Sequence, residues 1–274
     1  MPGSEKILLE RDGPVAVITL NDPATLNALT VDFLRAYRAL LESLAEDQEI
    51  RVIILTGAGK AFVAGADIAY MRGLSPSQAL KYAKDTVECY RLMEDMDQIF
   101  IAAVNGYALG GGCELALSCD LRIASSKARF GLPEVSLGIF PAGGGTQRLS
   151  RLVGEAAAKE LIFTAQTIDA QRARDLGLVS AVAEPDALMD EAQTLADKVL
   201  RNSMSAVALA KKSMNRGRQM GMDAAITQDQ SLFGVCFGSP DQLEGMGAFL
   251  EKRKPVFQHQ TLQNRRRESR ELSH

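Results

Sequence analysis

Only two histidines occur in the 274 residues, His259 and His274, both near the C-terminus. That supply argues against a His-based triad or a zinc site, so carboxylates are the first candidates for proton transfer. Two glutamates stand out by their surroundings. Glu114 ends the run Asn105-Gly-Tyr-Ala-Leu-Gly-Gly-Gly-Cys-Glu114, and Glu134 ends Phe130-Gly-Leu-Pro-Glu134. When like charges crowd a partly desolvated pocket, one carboxyl tends to keep its proton while the other stays ionised, which supplies an acid and a base to one reaction step. Each glutamate also has a plainer explanation: Glu114 as a first-turn acid favoured by a helix dipole, Glu134 as a surface residue after Pro133.

The glycines could supply a third chemical element. Ile99–Val104 is apolar and β-rich and reads as a buried strand, while residues 115–119 read as a buried helix. Gly110, Gly111 and Gly112 therefore sit at a strand-to-helix turn. Without Cβ atoms they let a ligand reach the main chain, and the first N–H groups of a helix have no carbonyl partner. Such a turn seats negative charge. A second glycine-rich stretch, Gly57-Ala-Gly-Lys-Ala-Phe-Val-Ala-Gly-Ala-Asp67, follows the β-rich residues 52–56 in the same way. Neither stretch is a nucleotide motif, since residues 106–112 lack the Rossmann spacing and no Gly-Lys-Ser/Thr phosphate loop occurs.

Four segments in register closely resemble the enoyl-CoA hydratase, or crotonase, family: Ala61-Phe-Val-Ala-Gly-Ala-Asp-Ile68, Val104-Asn-Gly-Tyr-Ala-Leu-Gly-Gly-Gly-Cys-Glu114, Phe130-Gly-Leu-Pro-Glu134 and Gly143-Gly-Gly-Thr-Gln-Arg148. The likeness runs from about residue 15 to residue 257. It implies an α/β fold, with repeated β-β-α units wound into a spiral core over residues 1–200 that holds the active site. A helical region over 201–258 would mediate trimer contacts, giving a homotrimer or a dimer of trimers, and 259–274 would be a charged tail. The implied reaction adds water reversibly across the 2,3 double bond of a 2-enoyl-CoA thioester. By the same resemblance Glu114 orients and deprotonates the water, Glu134 delivers the α proton, and the N–H groups of Ala66 and Gly111 form an oxyanion hole. Coenzyme A contacts would fall on Lys60, Ala64, Ala66, Asp67, Ile68 and Gly111, with Phe249 and Lys252 helping from the last helix. Lys60 and Lys252 could equally be solvated lysines, and Asp67 could simply cap the next helix. Coenzyme A is part of the substrate, so no cofactor and no metal are expected.

Two departures bear on acyl specificity: Leu132 stands where many short-chain hydratases carry glutamine, and Ala142 where the family often has glycine. The same fold hosts isomerases, hydrolases, dehalogenases and decarboxylases. Retention of both glutamates favours hydration. The alternatives are a hydratase of a branched or functionalised acyl-CoA, an isomerase, or a protein of the same fold that binds RNA, for which the basic tail and scattered lysines are the only support, against an acidic whole.

Length, charge and cysteine usage fit the same reading. A chain of this size buries about three quarters of its unfolded surface. The formal net charge of −3 gives no general attraction to nucleic acid or anionic membrane, and Cys89, Cys113, Cys119 and Cys236 show no paired spacing. No apolar signal region opens the sequence and no apolar run approaches a membrane span, so a cytoplasmic protein is expected. Strands are expected at 15–20, 52–56, 121–124 and 179–183. Helices are expected after Thr30, from Ser75-Pro76, from Thr146, between Asp169 and Gly177, and then in series from Leu188, Val207, Met222 and Asp241. On the second of these helices Leu80, Ala83, Val87 and Tyr90 form a stripe expected to be core, with the loop before it bordering the acyl pocket.

Overall fold

The structure, a computed structural model, describes residues 6–258; the charged tail falls outside the described residues. The chain opens with an antiparallel hairpin, β1 (Ile7–Asp12) and β2 (Val15–Leu20), followed by α1 (Val31–Glu46). Thr30 caps that helix by accepting the Phe33 N–H at 3.1 Å. The chain then repeats one turn. β3 (Val52–Gly57) leads into β4 (Ala61–Ala64), α2 (Ile68–Met71) and α3 (Pro76–Asp95); β5 (Ile99–Val104) leads into β6 (Tyr107–Leu109) and α4 (Gly111–Ser118); β7 (Leu121–Ser125) leads into β8 (Arg129–Gly131). Next come α5 (Gly145–Val153), α6 (Glu155–Phe163), β9 (Thr167–Asp169), α7 (Ala170–Asp175) and β10 (Ala181–Ala183). In each β-β-α turn the first strand joins a sheet of order β1-β2-β3-β5-β7-β10 and the second joins a sheet of order β4-β6-β8-β9. The expected spiral is therefore present.

The corners between the sheets are tight. A Cβ on Gly106 would lie 2.0 Å from the Lys60 carbonyl oxygen, so only glycine lets one turn nest on the previous one. Asn105 locks the same corner: its Oδ1 accepts the Gly57 N–H at 3.1 Å and its Nδ2 donates to the Gly59 carbonyl at 3.1 Å. The strands of the larger sheet are apolar throughout because both faces are covered. Along β3, Ile53 and Leu55 join the core shared with α1, α3 and α4, whereas Val52 and Ile54 face Leu188, Ala192 and Ala196 of α8 (Leu188–Leu200).

The helical region comprises α9 (Met204–Gly217), α10 (Met222–Cys236) and α11 (Pro240–Leu250). The first of these is tied into the body by the buried Lys211, whose ammonium donates to the carbonyls of Met93 at 2.8 Å and Gln98 at 2.7 Å and pairs with Asp120 at 2.9 Å. By contrast α10 buries no residue, and Phe233 on it, like Phe249 and Leu250 on α11, stands exposed.

Three expectations need correction. Gly110–Gly112 do sit between a strand and a helix, but the strand is the short β6 and not β5, and the helix starts at Gly111, not Leu115. The last strand is shorter than 179–183 because Val179 is buried ahead of it, close after the turn at Gly177. The α3 stripe is core only at its far end, at Tyr90. Its buried set is Thr86, Cys89, Tyr90 and Met93, while Leu80 is 57% exposed and lines a cavity together with Ala83. A helix that borders a ligand cavity shows the same apolar period as one that borders packed protein.

Candidate active site

That cavity has a volume of about 620 Å³ and lies between the first half of α3, the β4–α2 corner, the start of α4 and the segment 133–143. Its walls are mainly apolar, with Leu29, Met71, Leu80 and Phe140 among them, and both Glu114 and Glu134 face it. A cavity of this size and lining is what an extended small ligand requires.

The start of α4 is seated by close packing. A Cβ on Gly112 would fall 2.0 Å from the Val63 carbonyl oxygen, so the helix N-terminus rests directly on β4. This brings the Gly111 and Ala66 backbones to the wall of one cavity. Neither N–H has a hydrogen-bond partner among the described residues, and at a helix start such an N–H has no partner within the helix. Two tyrosines of α3 hold the flanking carbonyls. Tyr90 donates to the Gly111 carbonyl at 2.8 Å, and Tyr82 donates to the Leu29 carbonyl at 2.6 Å, while the Leu29 N–H is itself bound to the Gly65 carbonyl at 3.0 Å.

Glu114 occupies the first turn of α4 and is only 4% exposed. Its Oε1 accepts the Gly145 N–H at 2.7 Å. Burial raises its pKa above the ordinary carboxylate value, opposed by the Gly145 and Gly143 N–H groups and by Arg148. Arg148 also fixes the loop: it donates to the Gly143 carbonyl at 2.8 Å, forms a forked ion pair with Glu94 at 2.7 and 2.9 Å, and stacks over the Tyr90 ring.

Glu134 comes from a single 3-10 turn, Pro133–Leu137, that runs across from α4. Its Oε1 lies against Gly110, where an added Cβ would be 3.1 Å away, and its Oε2 is buried without a hydrogen-bond partner. Burial pushes this carboxyl up to about 7, a backbone N–H bond opposes the shift, and the Glu114 charge adds to it. The two carboxyls thus share one cavity in unlike surroundings: one anchored by N–H donors from another loop, the other held only by its own backbone N–H, with one oxygen left without a partner.

Of the residues singled out in the sequence, Glu114, Glu134, Ala64, Ala66, Ile68 and Gly111 line the cavity. Lys60, Asp67, Phe249 and Lys252 are not among its walls. Asp67 caps α2, accepting the Tyr70 N–H at 3.0 Å, and Phe249 is 83% exposed on α11. Ala142 is a wall residue, whereas Leu132 is fully buried behind the site, beside Gly145. Tyr82, Tyr90, Gly143, Gly145 and the role of Arg148 were not foreseen. The one signal for the last three was their place in the motif that ends at Arg148. Among the described residues no cluster of His, Cys, Asp and Glu could hold a metal ion.

Comparison with known proteins agrees with this architecture. The sequence model of the family described as enoyl-CoA hydratase/isomerase matches residues 10–260. The chain is 50% identical over 249 residues to a short-chain-enoyl-CoA hydratase of Clostridium acetobutylicum, covering 90% of this chain and 95% of that protein. It is 47% identical to a crotonyl-CoA hydratase of Syntrophomonas wolfei, over 92% of this chain and 98% of the relative. Among solved structures, an enoyl-CoA hydratase from Bacillus anthracis superposes with a TM-score of 0.89 at 38% identity, over 93% of this chain and all of the other. With the motifs, the spiral and nearly the whole length in agreement, the chain belongs to the enoyl-CoA hydratase/isomerase family.

Proposed function

We propose that this protein is an enoyl-CoA hydratase, a lyase that adds water reversibly to 2-enoyl-CoA thioesters to give 3-hydroxyacyl-CoA. The observation that carries the reading is the pair of unlike carboxyls, Glu114 and Glu134, on one apolar cavity beside two unpaired backbone N–H groups.

In the forward direction Glu114, held by the Gly145 N–H, accepts a proton from water as the water oxygen bonds to the β carbon. The π electrons shift toward the thioester oxygen, where the Ala66 and Gly111 N–H groups receive the developing charge. Glu134, which burial pushes up to about 7 so that part of the population carries a proton at neutral pH, then gives that proton to the α carbon. One carboxyl ends protonated and the other ionised, and exchange with solvent restores the starting pair. Each positioned proton transfer is worth about 10² to 10⁴ in rate, and each oxyanion donor about 10² to 10³. No metal and no redox cofactor enters these steps.

The same proposal extends to assembly and location. The exposed apolar side chains of α10 and α11, Phe233 and Phe249 among them, would be covered in a homotrimer or dimer of trimers. The three buried thiols, Cys89, Cys113 and Cys119, suit the reducing cytoplasm.

The test is turnover of crotonyl-CoA to 3-hydroxybutyryl-CoA by purified protein with no added metal or nucleotide. The expected rate is unchanged by a chelator. Chelator-sensitive activity would refute the two-carboxylate mechanism, and absence of turnover on every enoyl-CoA tried would refute the function.

A further inference from the structure

A second cavity, of about 350 Å³, is walled by four arginines: Arg122 on β7, Arg148 and Arg151 on α5, and Arg218 at the end of α9. The one carboxylate in its wall among the described residues is Asp120. That carboxylate is already engaged, by Lys211 at 2.9 Å and by the Phe100 N–H at 2.8 Å. Arg148 is engaged too, by Glu94. The other three guanidinium groups have no ion-pair partner among the described residues.

Their hydrogen bonds leave donors to spare. Arg122 donates from Nε to the Leu178 carbonyl at 2.9 Å and from Nη1 to the Cys119 carbonyl at 2.5 Å and the Ala116 carbonyl at 3.4 Å, so its Nη2 is uncommitted. Arg151 spends only Nη1, on the carbonyl and side-chain oxygens of Gln147 at 2.9 and 2.8 Å. Arg218 makes no side-chain hydrogen bond among the described residues. Like charges gathered in one recess repel. Burial is the main influence holding Arg122 below its usual pKa, with Cys119 and Asp120 opposing it and the neighbouring Arg218 charge adding to it. An anion with several oxygens would relieve this repulsion and satisfy planar donors that arrive from three separate elements. A single carboxylate, with two oxygens, would not reach all three.

We propose that this recess is a binding site for a phosphate-class oxyanion, of the kind carried by pyrophosphate or by the phosphates of a nucleotide, seated by Arg122, Arg151 and Arg218. The site is separate from the carboxylate cavity, and its four arginines line only the recess. It does not depend on the proposed hydratase activity.

The experiment is calorimetric titration of the full chain with sodium pyrophosphate and, separately, with ADP, against sodium chloride at matched ionic strength. Arg151→Gln combined with Arg218→Gln removes two exposed donors without touching the half-buried Arg122. Arg172→Gln combined with Arg174→Gln, on the exposed face of α7, removes the same charge elsewhere. The expected result is saturable binding that survives the second double variant and weakens at least tenfold in the first. A preference for ADP would identify the nucleotide as the source, and a preference for pyrophosphate the free anion. Saturable binding to neither probe would overturn the proposal. So would equal weakening in both double variants, or complete displacement of the anion by coenzyme A with unchanged affinity in the first. If the first double variant dissociated from oligomer to monomer in light scattering and wild type bound no anion, the recess would be a contact between copies of the chain.

Discussion

Gly143 offers the sharpest test of how Glu114 is held. An added Cβ there would sit 2.4 Å from the Glu114 Oε2, 2.9 Å from its Cδ and 3.0 Å from Cε2 of Tyr90. Ordinary contact begins at 3.4 Å, so in Gly143→Ala the carboxylate must retreat by about 1 Å, or the loop must move and break the 2.7 Å bond from the Gly145 N–H. A misplacement of about 1 Å costs on the order of 10² in rate, equivalent to about 2.7 kcal/mol of transition-state stabilisation. The methyl meets the acid and a ring edge, and Gly143 lies outside the left-handed backbone region. Coenzyme A binding and melting temperature should therefore change little. The assay follows loss of the enoyl thioester absorbance with crotonyl-CoA, alongside calorimetric binding of coenzyme A, with Gly221→Ala as a control in open space. Wild-type kcat in Gly143→Ala would refute the claim that the position of the Glu114 carboxylate limits the reaction. A collapse of melting temperature would move the effect from the site to the fold.

Three further outcomes follow from the same geometry. Glu114→Gln and Glu134→Gln should each keep thioester binding and lose at least about 10² in turnover, and by NMR only Glu134→Gln should abolish deuterium exchange at the α carbon; the opposite exchange pattern would reverse the assigned roles. In the proposed mechanism the active pair carries one proton. With Glu134 pushed up to about 7, raising the pH through that value removes the proton that hydration must deliver, so kcat/KM should fall about tenfold per pH unit above it. The overall equilibrium takes up no proton, so dehydration should fall in parallel, and a rate that rises across this window contradicts the assignment. Deleting residues 203–258 should abolish trimers in light scattering, and a truncated chain that still runs as a trimer would show that α10 and α11 are not the contact.

The division between what was legible in the sequence and what was not follows the length of each signal. β3 and β5 are six residues long and buried on both faces, so each is a continuous apolar run with turn residues at its ends. The second sheet left almost no trace. Its strands hold three or four residues, and β6 and β8 interleave with glycines that fix the corners by steric exclusion rather than by periodicity. Helix starts were legible at Thr30, Ser75 and Asp169 because a side-chain oxygen three residues before a bare N–H is a local arrangement. The glutamates were legible for another reason, their place in extended motifs. What holds them was not, because it is made by residues far apart in the chain. Tyr90 reads as one more core aromatic on an amphipathic helix, yet its hydroxyl reaches across 21 positions to the Gly111 carbonyl. Gly145 reads as loop, yet its N–H crosses 31 positions to the Glu114 carboxylate. The two groups differ in kind. A carboxyl must be an acid whatever surrounds it, but how far its pKa moves depends on desolvation and on donors supplied by other turns of the spiral. The resemblance names roles for Glu114 and Glu134, but the physical difference between the two carboxyls that would support those roles lies in the tertiary structure.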